Sequence, residues 1–391
     1  MGAHRWMLAC VVLAAQGLLA EPAQSTDVGK WWYTSEEPVH KAIQAHSFIF
    51  VAGPHHSGTT LMALLLSKSN ETTGLSNTSV PQNEGQHLQA VYPRAFMIGG
   101  MLGYARHSAA HITEASTKCS ASSAAELFGA WAPYWNLTKP LLVEKTPNHM
   151  VMTRFLQCLF SPARTKFVVT IRHPFGATHF KWRLPKQIKF IKRTCGRAWI
   201  EHWLIQMDNL KEDLPHVAHA RVVIFENFTA GDVQRNYEEL MHAIDISPTM
   251  SITVQERPPR ETFTVMKARW AMRLAKEAVE QGGEEGGRKG RQMVQHRGRR
   301  RPGKRNARHG QRRKLLGFVG DPNKLVLYTE KWFAWIDAWV ERYGDLFNSA
   351  VCRELFDEYE DRVNEYGYSL KNPTRVIRPV AFAAEAVFPR Q

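Results

Sequence analysis

The segment from Ser47 to Ser67 constrains the fold more than any other part of the chain. An apolar run, Ser47 to Ala52 (SFIFVA), is rich in aromatic and β-branched residues and predicts a buried strand. A glycine-rich loop, Gly53 to Thr60 (GPHHSGTT), follows at once, and a helix is predicted from Thr59 to about Ser67. Glycines let backbone amides converge, and a helix N-terminus adds partial positive charge. The loop between this strand and this helix is therefore suited to binding an anion.

The loop departs from the Walker A pattern at one position. The pattern G-x-x-x-x-G-K-[ST] contains a lysine that reaches the β- and γ-phosphates of a nucleoside triphosphate. Thr59 stands at the position of that lysine. The departure argues against an ATPase or a kinase, with a P-loop kinase kept as an alternative, and favours a nucleotide that lacks those phosphates.

The rest of the chain alternates short β-rich runs with amphipathic helices. This alternation predicts an α/β fold, a P-loop-like parallel sheet flanked by helices. Further strands are predicted at Leu141 to Glu144, Lys166 to Arg172 and Arg221 to Glu226. One helical stripe predicts core packing and consists of Trp199, Trp203, Met207, Leu210 and Leu214. Two closing helices are predicted around Leu325 to Arg342 and Cys352 to Tyr366.

The N-terminus has the pattern of a targeting segment. Arg5 precedes an apolar run of fifteen residues, Trp6 to Ala20. This length suits the core of a signal peptide and falls short of the ~20 residues that span a bilayer. Residues 1–25 are therefore predicted to be a signal peptide, or alternatively a short signal-anchor that holds the chain at a membrane.

Sequons and cysteines agree with a secretory route. N-glycosylation sequons begin at Asn70, Asn77, Asn136 and Asn227. If Cys10 leaves with the leader, four cysteines remain, Cys119, Cys158, Cys195 and Cys352. Four cysteines in an oxidising lumen allow two disulfides in three connectivities, and the sequence leaves all three open.

The positive charge of the chain belongs to one segment. Between Glu284 and Lys314 thirteen basic residues face two acidic ones, so this segment carries +11 of the total +15 and the remaining chain carries +4. Residues 281–314 are predicted to be a basic disordered insertion, because they contain almost no large apolar residues. A clamp for acidic substrates, or a dibasic protease site near Arg297 to Arg301, are the functional alternatives. No nucleic-acid partner is expected, since the fold outside this segment is nearly neutral.

Five segments resemble one family. SFIFVAGPHHSGTTLMALLL is similar to the 5′-phosphosulfate loop of sulfotransferases that use 3′-phosphoadenosine 5′-phosphosulfate (PAPS), and VVTIRHPFGATHFKW is similar to their 3′-phosphate signature. NEGQHLQAVYP, VEKTPNH and the terminal YGYSL resemble segments of the Golgi-type and bacterial-like branch. The resemblance implies a sulfotransferase domain over residues 48–370, with the basic insertion inside it.

The resemblance also implies the donor site. Ser57, Gly58, Thr59 and Thr60 match the positions that bind the phosphosulfate, and Arg172 matches the arginine that binds the 3′-phosphate. The chain departs from the family at two positions. His56 replaces an arginine or lysine that stabilises the leaving oxygen, and histidine is charged only part of the time near neutral pH. Phe180 replaces a serine, and Thr178 or His179 is the expected substitute.

The general base is expected to be a carboxylate. In cytosolic members a Lys-Thr-His segment supplies a histidine, but Pro147 falls at that position here. Golgi-type members use a glutamate that follows the first helix, and Glu84 matches it. Lys145 is expected near the sulfuryl group, where positive charge stabilises the transition state. His149 is a further candidate base, and the motifs require no metal.

The expected function is transfer of a sulfuryl group from PAPS to a hydroxyl, or an amine, of a lumenal acceptor. Carbohydrate is the first expectation for that acceptor, with peptidyl tyrosine and lipid alcohols as alternatives. The expected location is the Golgi lumen or the Golgi membrane, with secretion as the alternative. The competing interpretation from another class is a catalytically inactive, secreted polyanion-binding protein.

Overall fold

A computed structural model describes residues 36–178, 194–229, 231–256, 324–329, 349–373, 375–376, 379–382 and 386–387. The predicted leader, residues 1–25, and the predicted basic insertion, residues 281–314, lie outside the described residues. Both therefore stay predictions.

Eight strands and nine helices form the described part of the chain, with single 3₁₀ turns between them. The strands are β1 (Ser47–Ala52), β2 (Thr72–Gly74), β3 (Leu141–Lys145), β4 (Thr165–Ile171), β5 (Ala220–Ile224), β6 (Ser251–Glu256), β7 (Lys324–Thr329) and β8 (Ala386–Val387). The helices are α1 (Pro38–Gln44), α2 (Thr59–Leu66), α3 (Ala121–Trp131), α4 (Thr153–Phe160), α5 (Pro174–Thr178), α6 (Arg197–Asp213), α7 (Phe225–Thr229), α8 (Val233–Ala243) and α9 (Ala350–Glu365).

The central sheet is parallel throughout. Its six strands run in the order β2-β3-β1-β4-β5-β8, and each neighbouring pair is parallel. The predicted α/β fold is confirmed. Because all these strands point the same way, the loops that follow β1, β3 and β4 meet at the carboxyl edge of the sheet, where parallel α/β folds bind their ligands.

Alternating side chains of β1 supply the two faces of the sheet. Phe48 and Phe50 are fully buried in one apolar cluster, whereas Ile49 and Val51 are fully buried in the other. Successive side chains of a strand point to opposite faces, so one short run serves both layers. This two-sided burial explains why the run is continuously apolar, as parallel strands are.

Two predicted elements differ from the structure. The strand predicted from Arg221 to Glu226 is present but ends at Ile224, and Phe225 begins the short helix α7. The helix predicted around Leu325 to Arg342 is wrong at its start, where β7 pairs in parallel with β6 in a separate two-stranded sheet, and residues 330–342 lie outside the described residues. A short apolar run suits either element by periodicity alone, and pairing with β6 decides for the strand.

The structure selects one of the three disulfide connectivities. Cys119 pairs with Cys158, and Cys195 pairs with Cys352. The second bond joins Cys195, two residues before α6, to Cys352 on α9. Within the described ranges, no helix is long and apolar enough to cross a bilayer.

Candidate active site

The loop after β1 approaches its neighbours too closely for any side chain at two glycines. Gly53 has a φ of 148°, and a Cβ there would lie 2.1 Å from the carbonyl oxygen of Thr170 on β4. Gly58 has a φ of 96°, and its Cβ would lie 2.2 Å from the ring of Phe225. Both conformations favour glycine. Close packing of the loop therefore requires glycine at both positions, and the predicted convergence of its amides on an anion stays a prediction.

Two buried hydroxyls beside the loop have no hydrogen-bond partner among the described residues. They are Ser57 Oγ and Thr170 Oγ1, and both side chains are fully buried. A buried polar atom without a partner costs about 1–3 kcal/mol, so these hydroxyls are suited to pair with a bound ligand. Ser57 lies directly before the N-terminus of α2, where the helix dipole favours negative charge. The loop therefore has an unused donor at the place that suits an anion.

Arg172, at the end of β4, reaches the same loop. Its Nη1 donates to the carbonyl oxygen of His56 over 3.1 Å. Its guanidinium lies 4.8 Å from the centre of the Phe225 ring, and its Nε is 3.9 Å from Glu226 Oε1. Only 13% of the side chain is exposed. The structure thus joins the two motifs predicted to bind one nucleotide.

The C-terminal YGYSL segment holds the strand end that carries Arg172. Tyr368 donates to Glu226 Oε2 over 2.9 Å, and the backbone amide of His173 donates to Glu226 Oε1 over 3.1 Å. His173 Nε2 lies 2.9 Å from the carbonyl oxygen of Ser369. Burial raises the pKa of Glu226 above its usual range. These contacts explain why a short segment at the far end of the domain resembles the family.

His173 makes the folded state sensitive to acid. Its Nδ1 accepts from the amide of Phe175 over 3.1 Å, so the proton lies on Nε2, which donates to Ser369. Burial lowers the pKa of His173 to about 4. In the unfolded chain His173 therefore binds a proton near pH 6.5, whereas in the folded chain it does so only near pH 4. The free energy of unfolding falls as the pH falls from about 6.5 to about 4.

We expect this one group to reduce the free energy of unfolding by roughly 1.4 kcal/mol for each pH unit in that window. Denaturant unfolding at several pH values checks it, with His173→Gln as the variant. The variant should lose this part of the slope, whatever its absolute stability. Equal slopes in both proteins would show that His173 does not titrate in this way.

Glu84 and Lys145 form a buried pair at the end of β3. Lys145 Nζ donates to Glu84 Oε1 over 2.7 Å, and the two side chains are 6% and 10% exposed. Gln86 Nε2 donates to the other carboxylate oxygen over 2.8 Å. The predicted base and the predicted cation therefore contact each other directly.

A groove is lined by Lys145 of this pair and by Thr60 of the anion loop. It encloses about 380 Å³ and runs along α2 beside β2. Thr60, at the start of α2, donates to Gln82 Oε1 over 3.2 Å, which links the loop to the segment that carries Glu84. The lining mixes polar side chains, from Thr60, Ser67, Lys68, Thr72, Thr73, Ser76, Gln82, Asn83 and Lys145, with apolar ones, from Ala63, Leu64, Leu75 and Val143.

A second buried set of contacts fixes the backbone around Glu84. Glu144 Oε1 accepts from the amide of Gly85 over 2.7 Å and from the hydroxyl of Thr146 over 2.7 Å. The same hydroxyl accepts from the amide of Gln86 over 3.2 Å. Trp131 Nε1 donates to the carbonyl oxygen of Gly85 over 3.0 Å. The position of Glu84 is thus set by the residues on either side of Lys145.

The structure argues against His149 as the base. The ring is fully buried, its Nδ1 lies 2.9 Å from Glu144 Oε2, and its Nε2 lies 2.6 Å from the hydroxyl of Tyr92. Burial, and secondly Glu144, raises the pKa of Tyr92 far above its usual range, so this hydroxyl keeps its proton and donates. The His149 ring is enclosed beside Tyr92 and Glu144 and is not exposed to an acceptor.

The other predicted site residues fall into two groups. His56, Ser57, Gly58, Thr59 and Thr60 share the anion loop, and His56 adopts a left-handed φ of 69°. Thr178 is the last residue of α5, whereas His179 and Phe180 lie outside the described residues. Across the residues that the structure describes, no group of three or more histidine, cysteine, aspartate or glutamate side chains could hold a metal ion.

Sequence reasoning did not assign roles to Glu144, Thr146, Tyr92, Glu226 or Tyr368. The segments VEKTPNH and YGYSL contain most of them and were noted for their resemblance alone. A buried glutamate in an otherwise apolar strand, as in Leu141 to Glu144, was the available signal, since buried carboxylates need partners.

The geometry defines a class of protein: a parallel α/β fold with a glycine-rich loop after β1 and a buried carboxylate–lysine pair at the end of β3. The model of the sulfotransferase family matches residues 48–247, about half of the sequence. The chain belongs to the sulfotransferase family.

Two solved structures were compared, a sulfotransferase from Alicyclobacillus acidocaldarius and the sulfotransferase domain of the Synechococcus PCC 7002 olefin synthase. The first is 12% identical with a TM-score of 0.34, covering 59% of this chain and 94% of that chain. The second is 15% identical with a TM-score of 0.30, covering 52% of this chain and 73% of that chain. No curated protein matches the sequence.

Proposed function

We propose that this protein transfers a sulfuryl group from PAPS to a hydroxyl, or an amine, of a carbohydrate acceptor in the Golgi lumen. One observation carries the proposal: Glu84 and Lys145 form a buried pair, and Lys145 also lines a groove that Thr60 of the anion loop borders. A transferase needs a proton acceptor beside the place where its donor binds, and this arrangement supplies one.

The donor would supply the sulfuryl group, and the described residues suit it. Ser57 Oγ is a buried donor without a partner in the described structure, at the N-terminus of α2. Arg172 joins the anion loop through His56, so a nucleotide with phosphates at both the 5′ and the 3′ positions could contact both elements. Guanidinium binds phosphate well because its donors form a planar fork.

Glu84 and Lys145 would act on the acceptor. Glu84 takes the proton of the acceptor hydroxyl, and neutralising this carboxylate weakens its attraction for Lys145. The ammonium is then available to the negative charge that develops at the reacting centre. The pair therefore supplies a general base, Glu84, and a cation, Lys145, that becomes available once Glu84 is protonated.

The lining of the groove favours a hydroxyl-rich acceptor. Hydroxyl and amide side chains lie along it beside apolar ones, and its charged side chains, Lys68 and Lys145, are both positive. Such a surface suits sugars, including acidic ones, better than cationic peptides. Two disulfides within the described structure agree with the lumenal part of the proposal, since such bonds form in oxidising compartments.

Labelled sulfate transfer tests the acceptor class. Purified enzyme is given PAPS carrying labelled sulfate and matched panels of neutral glycans, acidic glycans, tyrosine peptides and sterols. Label should enter the glycans. Incorporation into peptides or sterols alone would exclude carbohydrate, and donor binding without transfer to any member would favour the inactive polyanion-binding protein.

Arg172→Ala tests the donor. We expect it to weaken binding of PAPS by about tenfold to a hundredfold, because a charge-assisted contact contributes roughly 1.5–3 kcal/mol. Adenosine 5′-phosphosulfate, which lacks the 3′-phosphate, should be affected far less. Calorimetric titration of both nucleotides measures the difference.

Arg106→Ala is the matched control, since Arg106 donates to Glu201 over 2.8 Å on another surface. It should leave both affinities unchanged. Equal loss for the two nucleotides in Arg172→Ala would show that Arg172 does not read the 3′-phosphate.

A further inference from the structure

Three of the four sequons lie around one short strand at the edge of the sheet. Asn70 lies two residues before β2, and Asn77 lies three residues after it. The backbone amide of Asn136 donates to the hydroxyl of Thr73 on β2 over 3.2 Å. Lys139 Nζ also donates to the carbonyl oxygen of Asn70 over 2.6 Å, which joins two of the sequon loops. Sites 66 residues apart in sequence therefore form one surface.

All three asparagines are exposed. Asn136 is also held within its own sequon, because its Oδ1 accepts from the amide of Thr138 over 3.1 Å and from the hydroxyl of Thr138 over 2.8 Å. This leaves its amide nitrogen directed away from these contacts. A bulky hydrophilic group fits on such side chains without displacing the core.

The fourth sequon has a different environment. Asn227 is half-buried on α7, its carbonyl oxygen accepts from Asn236 Nδ2 over 3.2 Å, and the hydroxyl of Thr229 donates to Phe225 over 2.8 Å. Phe225 is the ring that contacts Gly58 and Arg172. A glycan on this helix would disturb the donor side of the candidate site.

We propose that Asn70, Asn77 and Asn136 carry N-linked glycans that shield the β2 edge, and that Asn227 carries none. Among the described residues β2 pairs with β3 alone and ends the sheet. An uncovered edge offers unpaired amides and carbonyls to another chain, and proteins protect such edges. The anion loop follows β1, beyond β3 in the sheet, whereas the candidate acceptor groove adjoins this patch, because Thr72, Thr73 and Ser76 line it.

The modification is a glycosyl transfer by the machinery of the host. The side-chain nitrogen of asparagine bonds to C1 of a sugar carried by a lipid-linked glycosyl diphosphate. The C1–oxygen bond of that donor breaks, the lipid diphosphate leaves, and the amide proton passes to solvent. The proposal rests on the proposed lumenal route and does not depend on which acceptor the enzyme sulfates.

Full-length protein secreted or retained by eukaryotic cells tests the sites. Digestion with a glycan-releasing amidase should raise its gel mobility. Asn70→Gln, Asn77→Gln and Asn136→Gln should each reduce that shift by the amount that one glycan contributes. Thr138→Ala keeps the asparagine but breaks the sequon, so it should match Asn136→Gln. Asn227→Gln is the control and should leave the mobility unchanged. A shift lost in Asn227→Gln, or a chain insensitive to the amidase, would overturn the proposal.

Removing the glycans from the folded wild-type protein tests the shield separately, because no variant has to fold. The trimmed protein should self-associate at concentrations where the untreated protein stays dispersed, measured by light scattering. Unchanged scattering would show that the glycans do not shield the β2 edge. Sulfuryl transfer is assayed in parallel before and after trimming, and absence of transfer in both samples indicates failure of the proposed activity and not an effect of the glycans.

Discussion

Glu84→Gln is expected to lower kcat by about 10²–10⁴-fold, the usual contribution of a general base. Glutamine retains a carbonyl oxygen where Lys145 donates to Glu84 Oε1, but it cannot take the proton of an acceptor. The affinity for PAPS should change little, because Ser57 and Arg172 lie on other loops. Single-turnover rates and donor titration separate the two quantities.

The variant needs two controls because its site is buried. Removing one charge of a buried pair costs about 3–5 kcal/mol when the partner stays uncompensated. Thermal unfolding must therefore show that Glu84→Gln is folded at the assay temperature. Glu71→Gln, an exposed carboxylate beside β2, should keep full activity. A folded Glu84→Gln protein with normal turnover would exclude Glu84 as the base.

Local sequence signals predicted the part of the candidate site that belongs to the loop after β1. A strand, a glycine-rich loop and a helix are adjacent in the chain, so Ser57 to Thr60 could be placed from residue order alone. Arg172 was found in the same way, since it ends a strand of the same sheet. The meeting of Arg172 with the carbonyl oxygen of His56 follows from β1 and β4 being neighbours.

Contacts between distant segments could not be predicted in this way. The Glu144 carboxylate contacts Gly85, 59 residues away, and Tyr368 contacts Glu226, 142 residues away. No periodicity or spacing encodes such pairs, because a buried carboxylate accepts from whichever donor the fold brings to it. The disulfide pairing was open for the same reason, and packing of α9 against α6 settles it.

The predictions that failed concern segments whose structure depends on contacts with distant parts of the chain. The run that forms β7 could be a helix or a strand by its pattern, and its partner β6 lies 68 residues earlier. Likewise, Phe225 continues the apolar run of β5, yet Phe225 and Glu226 begin α7, where they contact Gly58 and Arg172. Contacts within the candidate site, and not the local strand propensity, determine the structure of these two residues.

Gly85→Ala is expected to lower kcat by on the order of 10²-fold, because misplacing a catalytic group by about 1 Å has an effect of that size. The added Cβ would lie 2.6 Å from Glu144 Oε1 and 2.6 Å from Trp131 Nε1. Both atoms also hold the Gly85 backbone through hydrogen bonds, so relief of the contact must move the residue next to Glu84. The φ of Gly85 is not positive, so the steric contact alone carries the effect.

Gly129→Ala is the matched control for this substitution. Gly129 lies on α3, and nothing lies within 4 Å of its added Cβ. Alanine there should stabilise the helix by up to about 1 kcal/mol and leave turnover unchanged. Steady-state kinetics with saturating PAPS, together with donor titration, should show a loss in kcat for Gly85→Ala alone and similar donor affinity in all three proteins. If Gly85→Ala and Gly129→Ala have the same kcat, the buried contacts of Glu144 and Trp131 do not position the base.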